Sequence, residues 1–299
     1  MRRPPPPRGT PVTHPGNAPA RPLAADRPDL PADIRLIVTD MDGTLLDDDG
    51  RIPADLWPLL ERLRSRGVLF CPASGRQYAS LAVQFKDAFD GTVFIAENGA
   101  FVVRDGQEIS SDLLEPPFVR DVVAAARDLA ADGVDIGAVV CGKRTAYVER
   151  TDPAFLSEAV KYYALLTPVD DLASVDDDII KIALFDFGTA EHSTAPALKP
   201  FDETHQVVVS GEHWVDVMHT GTGKGAAVRR LQQELGVTPA QTMVFGDYLN
   251  DLEMLDAAEW SFAMANAHPQ VIGRARYLAG SNNEHGVLHA IARVTGLTP

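Results

Sequence analysis

Short apolar segments that alternate with amphipathic ones constrain this chain more than any other feature of its sequence. Strands are predicted at 35–40, 68–72, 92–96 and 242–246, and the helices that follow them at 53–67, near 76–88, at 224–236 and at 249–255. The first helix carries leucines at 56, 59, 60 and 63, which lie on one face. This alternation is typical of βαβ units, so we predict an α/β fold with a Rossmann-like parallel-sheet core.

The middle of the chain is less regular and predicts an inserted α/β unit. A helix with apolar positions from Phe118 to Leu129, two short strands around 134–148, a helix after Pro153 and a strand over 178–187 are expected there. Segment 189–200 is at best weakly helical, because Pro196 interrupts it. We therefore predict one core domain from 34–102 and 213–299, with a second domain at 103–212.

Composition limits the protein's surroundings and partners. The net charge of −15 disfavours nucleic acid as a partner, because backbone binding relies on clustered Lys and Arg. No apolar stretch approaches the roughly 20 residues that span a bilayer. Residues 1–33 contain 10 of the 22 prolines and no apolar periodicity, which predicts a disordered Pro/Arg-rich tail without a secretory pattern. We expect a cytoplasmic protein.

The clearest chemical signal is the carboxylate pair Asp40 and Asp42, where the first predicted strand ends. Residues two apart on an extended chain point the same way, so both side chains face one site. Adjacent carboxylates repel unless a cation or a shared proton relieves them, which indicates a metal site or acid–base chemistry. Taken alone, the pair could equally be an acidic turn, since Asp and Gly are frequent in turns.

Three other segments favour the functional interpretation. Ser74, Gly75 and Arg76 follow the second predicted strand and offer a hydroxyl, a free backbone and a helix start to an anion. Lys224 begins a later helix, and the turn after strand 242–246 supplies Asp247, Asn250 and Asp251. Strand ends of a parallel sheet lie along one edge, so these groups can converge.

The order of these motifs resembles the haloacid dehalogenase-like hydrolases. DMDGTLL at 40–46, SGR at 74–76, Lys224-Gly225 and GDYLND at 246–251 are similar to the family's four motifs. The insertion, ENGA at 97–100 and NNEHGV at 282–287 resemble the Cof-type branch, which includes sugar phosphatases. The resemblance covers residues 34–299 and implies that the inserted unit is a cap that sets substrate specificity.

The resemblance also implies a role for each motif residue. Asp40 would attack phosphorus, and Asp42 would protonate the leaving group and then activate water. Mg²⁺ would be held by Asp40, Asp42 through its backbone carbonyl, and Asp247, with Asp251 supporting it. The phosphoryl group would be held by the remaining motif residues: Thr44, Ser74, Gly75, Arg76, Lys224 and Asn250.

Asp42 favours phosphate-ester chemistry, because the dehalogenase and pump-ATPase patterns carry another residue at that position. The implied function is hydrolysis of small phosphorylated metabolites, with sugar phosphates foremost. A hexose-phosphate mutase and a non-catalytic phosphometabolite-binding protein are the alternatives. Arg76 could instead form a salt bridge at the sheet edge. The basic cap residues Lys143, Arg144 and Lys181 could contact substrate, but isolated basic residues on strands are more often solvated, and that is the expectation here. The substrate and the oligomeric state are left open.

Overall fold

A computed structural model describes residues 21–22, 30–86 and 92–297. The strands are β1 Arg21–Pro22, β2 Leu36–Asp40, β3 Leu69–Ala73, β4 Val93–Ala96, β5 Phe101–Arg104, β6 Gln107–Ser111, β7 Ile136–Gly142, β8 Ala146–Val148, β9 Leu166–Pro168, β10 Ile179–Asp186, β11 Gln206–Val209, β12 Trp214–Met218, β13 Thr242–Gly246, β14 Trp260–Ala263 and β15 Tyr277–Leu278. The α-helices are α1 Leu56–Ser65, α2 Tyr78–Gln84, α3 Pro116–Ala131, α4 Pro153–Ala159, α5 Thr194–Leu198, α6 Lys224–Leu235, α7 Leu252–Asp256, α8 Pro269–Arg274 and α9 Gly286–Thr295.

The larger sheet of the described residues has nine strands in the order β1-β15-β14-β13-β2-β3-β4-β5-β6. Its strands pair in parallel from β1 to β4, and the hairpin β5–β6 adds two antiparallel strands at one edge. β2 lies between β13 and β3, and all five of its residues are buried. The predicted α/β fold with a parallel-sheet core is confirmed, and the carboxyl ends of β2, β3 and β13 meet at one edge.

Helix α1 shows why the predicted amphipathic segments form helices. Leu56, Leu59, Leu60 and Leu63 are all buried against the sheet. Burying each leucine contributes about 1.5–3 kcal/mol, more than helix propensity alone supplies. The helix begins at Leu56 rather than Pro53, and Pro58 lies in its first turn, where a missing N–H is tolerated.

The cap contains a six-stranded sheet in the order β11-β12-β10-β7-β8-β9. Its pairs are antiparallel except β8 with β9. The buried face of α3, with Val119, Val122 and Val123, packs in the same apolar cluster as residues of β7, β10 and β12. β10 lies between β12 and β7, and all of its residues are buried, so this strand forms the interior of the cap.

The chain passes from one sheet to the other at later residues than the predicted domain boundaries, 102/103 and 212/213. β6 still belongs to the nine-stranded sheet, and β12 belongs to the six-stranded one. By sheet membership the cap runs from after Ser111 to Met218. The division into core and cap stays a proposal, with these later boundaries.

The described parts of segment 1–33 contact the core. Arg21–Pro22 pairs in parallel with β15, and the Ala32 N–H donates to the Val294 carbonyl at 2.9 Å. These residues therefore differ from the predicted disordered tail, and the rest of that prediction, at 1–20 and 23–29, lies outside the described residues. Among the described helices, none is long and apolar enough to cross a membrane.

Candidate active site

Asp40 and Lys224 form a buried ion pair at the carboxyl end of β2. Asp40 is the last residue of the strand, and Lys224 is the first residue of α6. The Lys224 Nζ donates to an Asp40 carboxylate oxygen and, at 2.8 Å, to Asp251 Oδ1. Burial alone would lower the pKa of Lys224, but Asp251 and Asp40 raise it above its ordinary value. The lysine is therefore a fixed positive charge beside Asp40.

Three carboxylates converge around this lysine. Asp40, Asp247 and Asp251 each offer an oxygen, and these oxygens lie within 4.8 Å of one another. Burial, and next the negative charge of Asp251, raises the pKa of Asp247 to about 7. Burial also raises the pKa of Asp40 well above its ordinary value. One lysine cannot neutralise three carboxylates, so the cluster fits a hard divalent cation, for which oxygen ligands are preferred.

The turn after β13 fixes the two later carboxylates. Asp251 Oδ2 accepts the backbone N–H of Asp247 at 3.0 Å and that of Tyr248 at 3.2 Å. Asp251 has no exposed surface, and its other oxygen is bonded to Lys224. Its contacts therefore orient the turn and the lysine, which agrees with the supporting role expected for it.

The turn after Asp40 brings Thr44 to Asp247. Thr44 Oγ1 donates to Asp247 Oδ1 at 3.0 Å, so Thr44 contacts an expected metal ligand, although a phosphate contact was predicted for it. Gly43 between them has φ of +77°, which glycine adopts without strain. A Cβ at Gly43 would also overlap the Asp247 carboxylate. Glycine is therefore needed at this position both for the backbone conformation and for the space.

Asp42 is held by Arg76. Nε of Arg76 donates to Asp42 Oδ2 at 2.7 Å, and Nη2 donates to Oδ1 at 2.5 Å. The guanidinium also donates to the Lys161 carbonyl of the cap at 2.6 Å and lies 5.2 Å from the ring centre of Tyr162. The sequence left open whether Arg76 binds phosphate or forms a salt bridge. In this geometry Arg76 forms a salt bridge with Asp42, and its guanidinium also contacts the cap.

Ser74 lies beside this pair and is buried. Its Oγ accepts the Arg76 N–H at 3.1 Å, and its carbonyl accepts the Asn98 N–H at 2.9 Å. Asn250 donates through Nδ2 to Asn98 Oδ1 at 2.9 Å. The predicted phosphate-binding residues Ser74, Gly75 and Asn250 thus lie around Asn98, which the sequence marked only through the ENGA segment.

A cavity of about 210 Å³ opens in front of these groups. The core side is lined by Asp40, Asp42, Ser74, Gly75, Arg76, Asp247, Tyr248 and Asn250, and the cap side by Tyr162, Tyr163, Lys181, Ser210, Gly211, Glu212, Trp214 and Asp216. Tyr162 packs edge-on against Trp214, with ring centres 5.3 Å apart. These cap aromatics were not predicted, because no local motif marks them.

Lys181 corrects the expectation of a solvated cap lysine. Its side chain is 1% exposed, and Nζ lies 2.6 Å from Glu97 Oε2. Its sequence surroundings, DIIKIALFDF, carried the signal: a lone lysine in a strand that is apolar on both faces is buried with it. Lys143 and Arg144 instead form partly exposed ion pairs, with Glu108 and with Asp177.

Comparison with known proteins agrees with the geometry. The sequence model of one protein family, the haloacid dehalogenase-like hydrolases, matches residues 37–291 of this chain. The chain is 33% identical over 267 residues to 5-amino-6-(5-phospho-D-ribitylamino)uracil phosphatase of Escherichia coli, covering 87% of this chain and 96% of that protein. It is 28% identical to the HMP-PP phosphatase of Cronobacter sakazakii, over 82% of this chain and 89% of the other.

A solved structure extends the agreement to the fold. SMU.1108c from Streptococcus mutans superposes with a TM-score of 0.79 at 26% identity, covering 88% of this chain and 99% of that one. Core and cap are therefore both shared. The chain belongs to the haloacid dehalogenase-like hydrolases, which confirms the predicted family and the predicted phosphatase class of enzyme.

Proposed function

We propose that the protein is a magnesium-dependent phosphatase that hydrolyses small phosphorylated metabolites through a phosphorylated Asp40. One observation carries the proposal. Asp40 is held by Lys224 at the end of β2, its carboxylate within 4.8 Å of the Asp247 and Asp251 oxygens, and lines a cavity that Asp42 also lines.

Asp40 and Asp42 divide the chemistry. An Asp40 oxygen attacks phosphorus, the bond to the leaving oxygen breaks, and an aspartyl-phosphate forms. Asp42 gives its proton to the leaving oxygen and later takes one from the water that attacks the aspartyl-phosphate. Water hydrolyses that intermediate to release phosphate and restore Asp40, so each turnover consumes one water and returns both carboxyls to their starting states.

The acidic cluster fits Mg²⁺. Asp40 and Asp247 would ligate it, with the Asp42 backbone carbonyl, and Asp251 orients the turn that carries Asp247. When bound, the ion would neutralise charge on the phosphoryl oxygens. This chain's own contribution is to fix the carboxylates, because Thr44 and the backbone N–H groups of the turn hold them in place.

The transferring phosphoryl group would be held by Ser74, the Gly75 amide, Lys224 and Asn250. Fixed donors aimed at developing charge supply much of the catalysis in phosphoryl transfer. Arg76 is engaged by Asp42 here, so we assign it to orienting Asp42 rather than to phosphate.

The cavity indicates the size and character of the substrate. About 210 Å³ admits a small monoester, and the Tyr162–Trp214 wall offers flat apolar surface to a sugar or a ring. Sugar phosphates remain our proposal for the substrate class. The E. coli relative is named for a substrate that carries a ribityl chain on a uracil ring, so that phosphate belongs in the test as well. A cytoplasmic location stays a prediction.

The test is phosphate release from a panel of sugar phosphates, 5-amino-6-(5-phospho-D-ribitylamino)uracil and an aryl phosphate, with Mg²⁺ and with chelator. We expect turnover that needs Mg²⁺ and is lost in Asp40→Asn. Asp49→Asn is the matched control, because Asp49 is exposed in the following turn and forms its described ion pair with the exposed Arg51. Equal loss in both variants, or turnover that survives in Asp40→Asn, would exclude Asp40 as the nucleophile.

The same panel separates the alternatives. A mutase would return an isomeric sugar phosphate without net phosphate release, and a binding protein would retain a sugar phosphate without changing it. Release of inorganic phosphate from a sugar phosphate by the wild type would exclude both alternatives.

A further inference from the structure

Lys181 belongs to the cap, and its side chain contacts two loops of the core as well as one cap carboxylate. It is the third residue of β10, and Nζ is 2.6 Å from Glu97 Oε2 and 3.7 Å from Asp216 Oδ1. The same Nζ donates to the Gly75 carbonyl at 2.7 Å. Glu97 and Gly75 follow core strands β4 and β3, so this one side chain joins the central cap strand to two loops of the catalytic edge.

Stability alone does not account for a lysine at this position. Burial lowers the pKa of Lys181, and Asp216 and Glu97 more than reverse that, so the side chain keeps its charge. Replacing a buried ion pair by apolar residues of similar volume is often neutral or stabilising. Both Glu97 carboxylate oxygens are buried without a hydrogen-bond partner among the described residues, although Oε2 lies 2.6 Å from Lys181 Nζ, and this adds a cost. A group retained at such a cost is a candidate for a role in the reaction.

The Gly75 carbonyl connects Lys181 to Ser74. That carbonyl belongs to the peptide whose N–H is carried by Arg76, and the Arg76 N–H donates to Ser74 Oγ at 3.1 Å. A cation on the carbonyl polarises the peptide and strengthens its N–H as a donor. Because Ser74 Oγ accepts this bond, its own proton is left to be donated toward the cavity that Ser74 and Lys181 both line.

A second set of contacts leads from the same lysine to Asn250. Asp216 accepts a hydrogen bond from Asn98 Nδ2, and Asn98 Oδ1 accepts from Asn250 Nδ2 at 2.9 Å. The Asn98 N–H also donates to the Ser74 carbonyl. The two contact paths converge on Ser74 and Asn250, which are the groups assigned to the phosphoryl oxygens.

We propose that Lys181 is a positioning residue of the cap, which orders the Ser74 hydroxyl for the transferring phosphoryl group when the cap lies against the core. The cap thereby completes the phosphate-binding loop as well as covering it. This inference rests on the proposed function of the same site.

The experiment is a double-mutant cycle between Lys181→Met and Ser74→Ala. Two quantities are measured in each variant: kcat/KM for an aryl phosphate, and the affinity for inorganic phosphate by calorimetry. We expect Lys181→Met to lower both by about tenfold, the size of one well-placed hydrogen bond. In the Ser74→Ala background the same change should have little further effect, since Lys181 acts through Ser74. Additive losses would overturn the proposal.

Lys143→Met is the matched control for cap attachment. Lys143 is also a cap lysine with a core carboxylate, Glu108, at 3.0 Å, but it makes no described contact with the phosphate-binding loop. Its removal should leave no coupling to Ser74. Coupling as large as that of Lys181 would mean that any loss of cap–core contact disturbs the site, and the proposal would fail.

If thermal melting shows that Lys181→Met does not fold, a second variant takes its place in the cycle. Lys181→Gln combined with Glu97→Gln leaves no unpaired charge between these two positions and removes the cation from the Gly75 carbonyl, and we expect the same coupling to Ser74. Absence of coupling in that pair would overturn the inference. If no variant or wild type turns over substrate, the proposed function fails by itself, while phosphate affinity still decides the role of Lys181.

Discussion

Two buried lysines, Lys224 in the core and Lys181 in the cap, have similar surroundings and different relations to the reaction. Each side chain is at most 1% exposed, and each lies between two carboxylates. In both, burial opposes the charged form and the carboxylates restore it. Lys224, however, bonds directly to Asp40, whereas Lys181 contacts the residues around the phosphate-binding loop, the Gly75 carbonyl and Asp216, and not Asp40 itself.

The difference shows how one kind of ion cluster can serve two purposes. Around Lys224 all partners follow strands of one sheet, so the core alone can assemble the cluster. Around Lys181 the lysine and Asp216 come from cap strands and Glu97 from a core loop, so the cluster exists only while the two sheets are in contact. We therefore expect substitutions at the first cluster to affect the chemical step and those at the second to affect how completely the site is assembled.

The largest effect is expected from Lys224→Met. Removing the cation leaves Asp40 and Asp251 unpaired and takes a donor from the phosphoryl group, so kcat should fall roughly 10³-fold. The unpaired carboxylates should also lower the free energy of unfolding by about 3–5 kcal/mol without metal. Both are measured by steady-state kinetics and chemical unfolding.

Lys199→Met controls for loss of a lysine, because Lys199 is exposed and pairs with Asp202. It should change neither quantity measurably. If Lys181→Met were as damaging to kcat as Lys224→Met, the distinction between the two clusters would be wrong.

The next largest effect is expected on the stabilisation of the protein by Mg²⁺, which should depend on the Lys224 cluster and not on the Lys181 cluster. We expect it to stabilise the wild type by about 2.7 kcal/mol at a hundredfold excess over its Kd, and Asp247→Asn to lose that stabilisation. Asp216→Asn, at the Lys181 cluster, should keep it. Thermal melts with Mg²⁺ and with chelator measure the difference, and an equal loss in both variants would contradict the assignment of the metal site.

The pH dependence of this stabilisation follows from Asp247. Its pKa is raised from 3.8 to about 7, so without metal its contribution to stability is present below 3.8 and is lost as the pH rises through 7. The cation needs the ionised carboxylate. Stabilisation by Mg²⁺ should therefore grow between pH 6 and pH 8, with proton release on binding at the lower pH. A stabilisation that is flat over this range would show that Asp247 does not control binding.

The first cluster could be predicted from sequence because each of its residues stands in a short motif at a strand end. Parallel strands place their carboxyl ends together, so Asp40, Asp247 and Lys224 converge once the strand order is right. The predicted helices and strands of the core were also close, because their apolar spacing is regular and their burial follows from it.

The second cluster could not be predicted by the same means. Lys181, Glu97 and Asp216 are separated along the chain and meet only through the contact of two sheets, which no local pattern encodes. The later position proposed for the first domain boundary has a local cause: Asp105-Gly106 carries positive φ at both residues, a hairpin turn that joins β5 to β6 and keeps them in the nine-stranded sheet. The Asp-Gly pair is the sequence signal for this hairpin, and so for the pairing of β6 with the nine-stranded sheet.

Arg76 joins the two regions and should show an intermediate effect. Arg76→Lys keeps the charge beside Asp42 but loses the paired hydrogen bonds and the contact with the Lys161 carbonyl. We expect kcat to fall about fivefold, the equivalent of about 1 kcal/mol in hydrogen bonding. Arg127→Lys is the matched control, since that arginine bonds two carboxylates within the cap. Equal kcat in wild type and Arg76→Lys would mean that Asp42 does not depend on Arg76 for its position.

The smallest effect is expected from Thr44→Val, which tests how finely the first cluster is tuned. The hydroxyl donates to Asp247 and lowers the pKa of that carboxyl, so its loss should raise the Asp247 pKa further and weaken Mg²⁺ binding at pH 7 by about twofold to threefold. The pH at which Mg²⁺ begins to stabilise the protein should move upward with it. Thr194→Val is the matched control, because Thr194 is also buried and donates to a carboxylate, Asp186, at 2.7 Å within the cap. Calorimetric titration with Mg²⁺ should detect the loss in Thr44→Val alone. Equal weakening in the two variants would assign the effect to general destabilisation, and no weakening in either would show that Asp247 is positioned by the turn after β13 without help from Thr44.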